Sequence, residues 1–328
     1  MLVNKKIFLL ALSMVLILSV GLLGCTTEEP ASQDQTSETE TEQGQQENRK
    51  EDEGVSNAGE GLHIATSFSI LADIVQNIIG ERGQVEYVVP IGEEPHEYEP
   101  VPSDFKTISD ADVFYVNGLD LEQWLEKVVS NVTDTEMVSV SEGVTTISLV
   151  GEDGTDPHAW LNPKHVITYV EIITEDLIAR DPAGEEIYRQ NSEQYIAQLK
   201  ELDAWIEEQV AAIPEDHRVI VISENAFKYF GERYGLQTEG IWELNSHEEG
   251  TPQQIARVVD LVKAQGIPAV FVETTVDQRY MQRVAQETGV DIAGEVYTDA
   301  VGPAGSGAET YIDLMKHNVT VFAEGLTP

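Results

Sequence analysis

From Leu62 onward, short runs rich in β-branched and aromatic residues alternate with segments whose apolar positions recur at helical spacing. The runs Leu62–Ser67, Val85–Val89, Val113–Asn117 and Met137–Val140 predict four strands. After a gap, Val219–Ser223, Gly240–Leu244, Ala269–Glu273 and Ile292–Tyr297 predict four more. Several of these runs are continuously apolar, as parallel strands covered on both faces require. Between them Ile70–Ile79, Leu121–Val129, Ile255–Ala264 and Asp277–Glu287 read as helices. The βα rhythm defines an α/β class with parallel-type sheets.

The gap carries a different pattern. Asp181-Pro182 offers an N-cap followed by a proline at the first helical position, and Pro214 closes the segment. Between them Tyr188, Tyr195, Leu199, Leu202, Ile206, Val210 and Ile213 recur at helical spacing. At ~1.5 Å per residue a single helix here runs roughly 45 Å. With four strands on either side, the pattern predicts an N-terminal α/β lobe over 62–180, a linking helix over 181–214 and a C-terminal α/β lobe over 215–328. A coiled-coil seam is the alternative; the length permits it, but charged pairs flanking the seam are not evident.

The N-terminal residues are of another kind. Lys5 and Lys6 precede an apolar run from Ile7 to Leu23 that only Ser13, Ser19 and Gly21 interrupt. As a helix the run spans roughly 26 Å, short for a permanent membrane crossing, and residues 1–25 read as a signal peptide. Leu22-Leu23-Gly24-Cys25 resembles a bacterial lipobox, which makes Cys25 the expected lipidation site; an uncleaved N-terminal anchor is the alternative. Either reading places the rest of the chain on the outer side of the membrane. Residues 26–60 hold 11 acidic and 2 basic residues and almost nothing apolar, so a disordered acidic tether is expected over 26–61.

Charge narrows the functions further. Over 328 residues, 19 Lys and Arg face 59 Asp and Glu, a formal net charge of −40. Such a surface repels phosphate backbones and concentrates cations, which excludes nucleic acid as a natural partner. A single cysteine excludes an intramolecular disulfide, a thiolate zinc cluster and a CxxC redox pair.

Ligands of α/β lobes gather beyond the carboxyl ends of the strands. Four side chains competent for metals stand there: His96 after the Val85–Val89 strand, His158 in Asp156-Pro157-His158, Glu224 directly after Val219–Ser223, and Asp299 after Ile292–Tyr297. Two come from each half, so a cleft between lobes would unite them. Two imidazoles and two carboxylates without sulfur suit Mn2+, Fe2+ or Zn2+. Taken singly, each has a plainer role, as a loop histidine, a helix cap or a solvated acid. His63, His165, His217, His247 and His317 read as surface or packing residues. Glu273, at a strand end, reads either as an acceptor behind a ligand histidine or as a carboxylate bonded to a helix N-terminus.

Longer motifs point the same way. They include Val88-Val89-Pro90-Ile91-Gly92-Glu93-Glu94-Pro95-His96-Glu97-Tyr98-Glu99-Pro100, Asn117-Gly118-Leu119-Asp120-Leu121-Glu122 and Asp156-Pro157-His158-Ala159-Trp160-Leu161. Ser223-Glu224-Asn225-Ala226-Phe227-Lys228-Tyr229-Phe230, Tyr297-Thr298-Asp299-Ala300 and Met315-Lys316-His317-Asn318 complete the set. In order and spacing, from Leu62 to the C-terminus, these resemble the metal-binding lipoproteins of bacterial ABC importers, the TroA-like or LraI-type family. The resemblance implies two α/β lobes bridged by a long rigid helix, with one metal in the cleft held by His96, His158, Glu224 and Asp299. It also implies a permease with a cytoplasmic ATPase as partners, and a monomer anchored by lipid at Cys25. Zinc-type members tend to carry a histidine where Glu224 stands and a His-rich loop before the second ligand histidine. Here Gly151-Glu152-Asp153-Gly154-Thr155-Asp156 has none, so the chain resembles the manganese- or iron-type members.

Two other classes remain open on the sequence. One is a metal-dependent enzyme built on a two-histidine, one-carboxylate site; HExxH is absent, since Pro100 stands four residues after His96. The other is a surface adhesin that holds an ion structurally. The expected function is capture of a divalent ion, manganese ahead of zinc or iron, with no catalysis.

Overall fold

The computed structural model describes residues 61–123, 125, 134–151, 153–245 and 250–327. The signal peptide, Cys25, the tether up to residue 60, His247 and the end of the helix expected over Leu121–Val129 lie outside the described residues.

All eight expected strands form: β1 (Leu62–Phe68), β2 (Gly83–Val89), β3 (Val113–Val116), β4 (Met137–Ser139), β5 (Val219–Glu224), β6 (Gln237–Trp242), β7 (Ala269–Glu273) and β8 (Asp291–Val296). The first four make one parallel sheet in the order β2-β1-β3-β4. The second half differs from a four-stranded expectation. β5 pairs in parallel with β6 and β7 with β8, and the two pairs lie side by side through β5 and β7. Every residue of β3, β5 and β7 is buried, which accounts for their unbroken apolar sequences.

The helices are α1 (Ser69–Ile79), α2 (Pro102–Ser109), α3 (Pro163–Arg180), α4 (Glu185–Ala212), α5 (Lys228–Tyr234), α6 (Pro252–Gln265), α7 (Arg279–Thr288) and α8 (Tyr311–Leu326). The long helix α4 has 28 residues and extends roughly 42 Å at ~1.5 Å per residue. Its buried stripe contains Tyr188, Tyr195, Leu199, Leu202, Ile206 and Val210, as the periodicity predicts. Its start differs. Pro182–Gly184 forms a 3-10 turn, and Asp181 does not cap with its side chain. That carboxylate accepts instead from Arg82 Nε at 2.9 Å and from the Tyr188 hydroxyl at 2.7 Å, an ion pair that outcompetes the cap. The helix α3 fills chain that the strand rhythm leaves unassigned. Asn162 caps it by accepting from the Lys164 N–H, and Pro163 opens it, the same start signal as at 181–182.

One continuous core joins the halves. It contains Phe68 and Trp160 from the first, Leu199 and Ile206 from α4, and Phe227, Phe271 and Phe322 from the second. Phe322 on α8 sits edge-on to Phe227 and Phe271, with ring centroids 5.0 and 4.9 Å away. A second cluster, including Val221, Val258, Val272 and Met281, lies beneath α6 and α7. No described helix is long and apolar enough to cross a membrane.

Asp73 on α1 accepts the Tyr311 N–H at 2.9 Å, tying α1 to the start of α8. Burial, helped by Asp313 and opposed by the Tyr311 N–H, raises its carboxyl from 3.8 to about 6. Between those values the folded protein binds more protons than the unfolded chain, so this group's contribution to stability falls as pH rises through that window. Asp73→Asn keeps an acceptor for Tyr311 and removes the buried charge. The variant is expected to be more stable than the parent by about 1–3 kcal/mol at pH 8, with the difference gone near pH 4. Urea unfolding at the two pH values checks this; an equal difference at both contradicts it.

Candidate metal centre

Each expected ligand stands where a strand or a proline-bounded loop delivers it. His96 lies in the loop after β2, between Pro95 and Pro100, where the prolines narrow the backbone's freedom. His158 precedes the 3-10 turn Ala159–Leu161. Glu224 is the last residue of β5, and Asp299 follows β8. The structure brings all four together. His96 Nε2 is 3.2 Å from His158 Nε2 and 3.6 Å from Glu224 Oε1. His158 Nε2 is 3.8 Å from Glu224 Oε1 and 3.6 Å from Asp299 Oδ1. Donors bound about 2.1 Å from one cation are separated from each other by about 3.0–3.6 Å, and these spacings lie within or just above that range, close enough for one ion to draw the groups together.

The groups are buried and prepared for a positive guest. His158 and Glu224 are fully buried, Asp299 is 1% exposed, and the His96 side chain is 8% exposed. Glu224 Oε2 and Asp299 Oδ1 have no hydrogen-bond partner among the described residues, an expensive arrangement unless a cation completes it. Burial, then the charges of Glu94 and Asp299, holds the Glu224 carboxyl well above its ordinary value. Burial also raises Asp299, against the opposing pull of His158 and the Thr298 and Thr275 hydroxyls. His96 is pushed well below the usual imidazole value by burial and by its His158 neighbour, so it is a neutral donor in the folded protein.

Behind the four expected ligands lies a set of supporting groups. Asp156 Oδ1 accepts from the His158 backbone N–H at 2.8 Å and from ring Nδ1 at 2.9 Å. Burial works to raise Asp156, but the His158 imidazole and Lys228 outweigh it and leave it below the ordinary range, ionised. A carboxylate can only accept, so Nδ1 of His158 carries the proton and Nε2 presents its lone pair to the site. Lys228 Nζ lies 3.1 Å from Asp156 Oδ2 and 2.5 Å from Glu243 Oε2, linking the halves. Asn117, after β3, donates to the Pro157 carbonyl at 3.0 Å and fixes the His158 loop. Gly118 beside it has φ +78°, and a Cβ there would lie 2.2 Å from Ser139 Oγ.

Glu273 meets neither expectation. Its carboxylate accepts the backbone N–H groups of Ser223 at 3.3 Å and Glu224 at 2.8 Å, because β7 runs beside the end of β5. It therefore steadies the strand end that carries Glu224. The acceptor behind a candidate histidine, His158, is Asp156. The sequence signal for it is the spacing in Asp156-Pro157-His158, which Glu94-Pro95-His96 repeats. In both tripeptides the acid accepts the backbone N–H of the histidine two residues on. Asn245 is a further group that strand-end reasoning misses: its N–H donates to Glu224 Oε1 at 2.9 Å, and its Nδ2 donates to Glu94 Oε2. The other described histidines stay out of the site. His63 is exposed, His165 packs edge-on to Tyr229, His217 meets the Leu326 carbonyl and His317 the Glu295 carbonyl.

Fold and site together define a metal-binding protein with two α/β halves joined by a long helix. Residues 64–325 match the family model of the zinc-uptake complex component A, periplasmic (ZnuA), and the chain belongs to that family of importer substrate-binding proteins. It is 64% identical over 277 residues to the manganese-binding lipoprotein MntA of Halalkalibacterium halodurans, covering 84% of this chain and 92% of that protein. It is 40% identical over 279 residues to the manganese ABC transporter substrate-binding lipoprotein PsaA of Streptococcus pneumoniae, covering 82% of this chain and 90% of that one. Among solved structures, the periplasmic zinc-binding protein TroA of Treponema pallidum superposes with a TM-score of 0.78 at 26% identity, over 82% of this chain and all of that one. The Mn-bound periplasmic metal-binding protein of Candidatus Liberibacter asiaticus gives 0.75 at 27% identity, over 80% of this chain and 98% of that one.

Proposed function

We propose that this chain captures a divalent metal ion, manganese, between its two halves and hands it to an ABC permease driven by a cytoplasmic ATPase. His96, His158, Glu224 and Asp299 are the ligands. The observation that carries the reading is the convergence of two neutral-capable imidazoles from the half before α4 and two buried carboxylates from the half after it, at 3.2–3.8 Å. Oxygen-rich donors without sulfur suit Mn2+, and relatives named for manganese binding share most of the chain's length. Zinc binds such a set more tightly by the Irving–Williams order, so availability and the shape of the shell select manganese. Iron fits the same donors and is the third candidate.

Four protein donors suit holding and release rather than turnover. The acidic surface enriches cations, deprotonated ligands replace their water, and docking on the permease lowers affinity. The protein acts as a monomer on the outer face of the cytoplasmic membrane, held by a lipid at Cys25 through the acidic tether. Protein stripped with chelator and reloaded under zinc-free conditions is expected to hold one Mn2+ per chain by elemental analysis. Failure to hold Mn2+ in the absence of zinc would sink the manganese reading; failure to hold any divalent ion would sink metal capture altogether.

A further inference from the structure

We propose that Glu94 is a fifth donor, completing an all-carboxylate face with Glu224 and Asp299 that favours manganese over zinc. The inference rests on the capture reading above and adds the residue that decides which ion is retained.

One oxygen from each of Glu94, Glu224 and Asp299 lies within 4.8 Å of the others. Glu224 also belongs to the set it forms with His96 and His158, so the two donor triads meet at this one residue. The arrangement offers a nitrogen-containing side and an oxygen-only side to one position. Glu94 does not behave as a solvated acid: its side chain is 19% exposed and is gripped from both halves of the molecule. The His96 backbone N–H donates to Oε1 at 3.0 Å, and Asn245 Nδ2 donates to Oε2. Asn245 itself is oriented by Trp242 Nε1, which donates to its Oδ1 at 2.8 Å. These bonds hold Oε1 of Glu94 3.9 Å from His96 Nε2, on the side of the ring that faces the cleft.

The repeated acid-Pro-His unit makes the contrast plain. In Asp156-Pro157-His158 the short acid turns to Nδ1, behind the ring, and takes no part in the shell. In Glu94-Pro95-His96 the extra methylene and the grip of Asn245 carry the acid round to the Nε2 side. Two of the three carboxylates also keep a buried oxygen, Glu224 Oε2 and Asp299 Oδ1, with no hydrogen-bond donor among the described residues. Three acids held this closely repel unless one of them keeps its proton or a cation lies between them.

The chemistry of the ions gives the selectivity. Zinc is satisfied by four donors in a tetrahedron and gains little from a fifth. Manganese prefers oxygen donors and a larger, octahedral shell, so an additional fixed carboxylate raises its affinity more. The test is competition titration of Mn2+ against Zn2+ on the full-length protein and its Glu94→Gln and Glu94→Asp variants, with electron paramagnetic resonance of bound Mn2+. Both variants are expected to lose about tenfold in Mn2+ affinity and no more than about threefold in Zn2+ affinity, with an altered Mn2+ spectrum. The melting temperature of the metal-free variants checks folding. An equal loss for both ions, or no loss, overturns the proposal, as does Glu94→Asp matching the parent, which would leave charge alone as the cause. His158→Ala run in parallel separates the levels: if that variant still binds both ions normally, the capture reading itself fails.

Discussion

His158→Ala is expected to weaken Mn2+ binding by about 100- to 1,000-fold, measured by calorimetric titration of the chelator-stripped protein at neutral pH. The side chain is fully buried, and its Nε2 is within 3.8 Å of a donor atom on each of His96, Glu224 and Asp299. Its removal takes away the group every other ligand faces. The alanine also leaves Asp156 without the imidazole N–H that it accepts, although the Lys228 ammonium 3.1 Å away still balances that charge. The loss therefore appears in affinity more than in folding. His317→Ala, outside the site on α8, is the control and should bind as the parent does. An affinity for His158→Ala within about threefold of the parent contradicts the ligand assignment.

Trp160→Ala is expected to destabilise the protein by about 3–5 kcal/mol, read from urea unfolding. The indole is fully buried, with its centroid 4.9 Å from Phe68 and 5.2 Å from His158. Its Nε1–H donates to the Thr298 carbonyl at 2.8 Å, so the residue beside one ligand reaches across to the residue before another. Metal affinity should fall as well, because Thr298 also donates its hydroxyl to Asp299 Oδ2 at 2.5 Å. Trp160→Phe restores most of the packing and none of that hydrogen bond. It is expected to recover most of the stability while Asp299, and with it the affinity, remains disturbed. Full recovery of both by phenylalanine would show that Trp160 acts through volume alone.

The strands were legible because burial on both faces leaves a continuous apolar signature that few other environments produce, as in Val219-Ile220-Val221-Ile222. The stripe of α4 was legible for the related reason that its packing face repeats every three or four residues. Its first turn was not, because Asp181 satisfies both a local capping rule and a distant ion pair, and sequence alone does not reveal Arg82 beside it. The pairing of β5 to β8 into two ladders was also hidden, since a run of apolar residues specifies burial and not its neighbour. At the candidate site, residue type and strand-end position located the four groups that converge. The supporting groups escaped for a physical reason. Asp156, Asn245 and Glu273 act through backbone N–H groups or the far side of a ring; the Asp156 contact is local to its loop, while those of Asn245 and Glu273 depend on which strand ends of the second half lie side by side.

The continuous core that α4 shares with both halves bears on how the site opens. A jaw-like swing of one half against the other would part the core in which Phe68 and Trp160 of the first half and Phe227 of the second are joined, and would wet the buried stripe of α4. Unlatching the short proline-braced flap that bears Glu94 and His96 disturbs far less. Breaking its bond to Asn245 frees the Glu94 arm beside the His96 imidazole. Opening the site at this rim therefore breaks fewer contacts than separating the halves would.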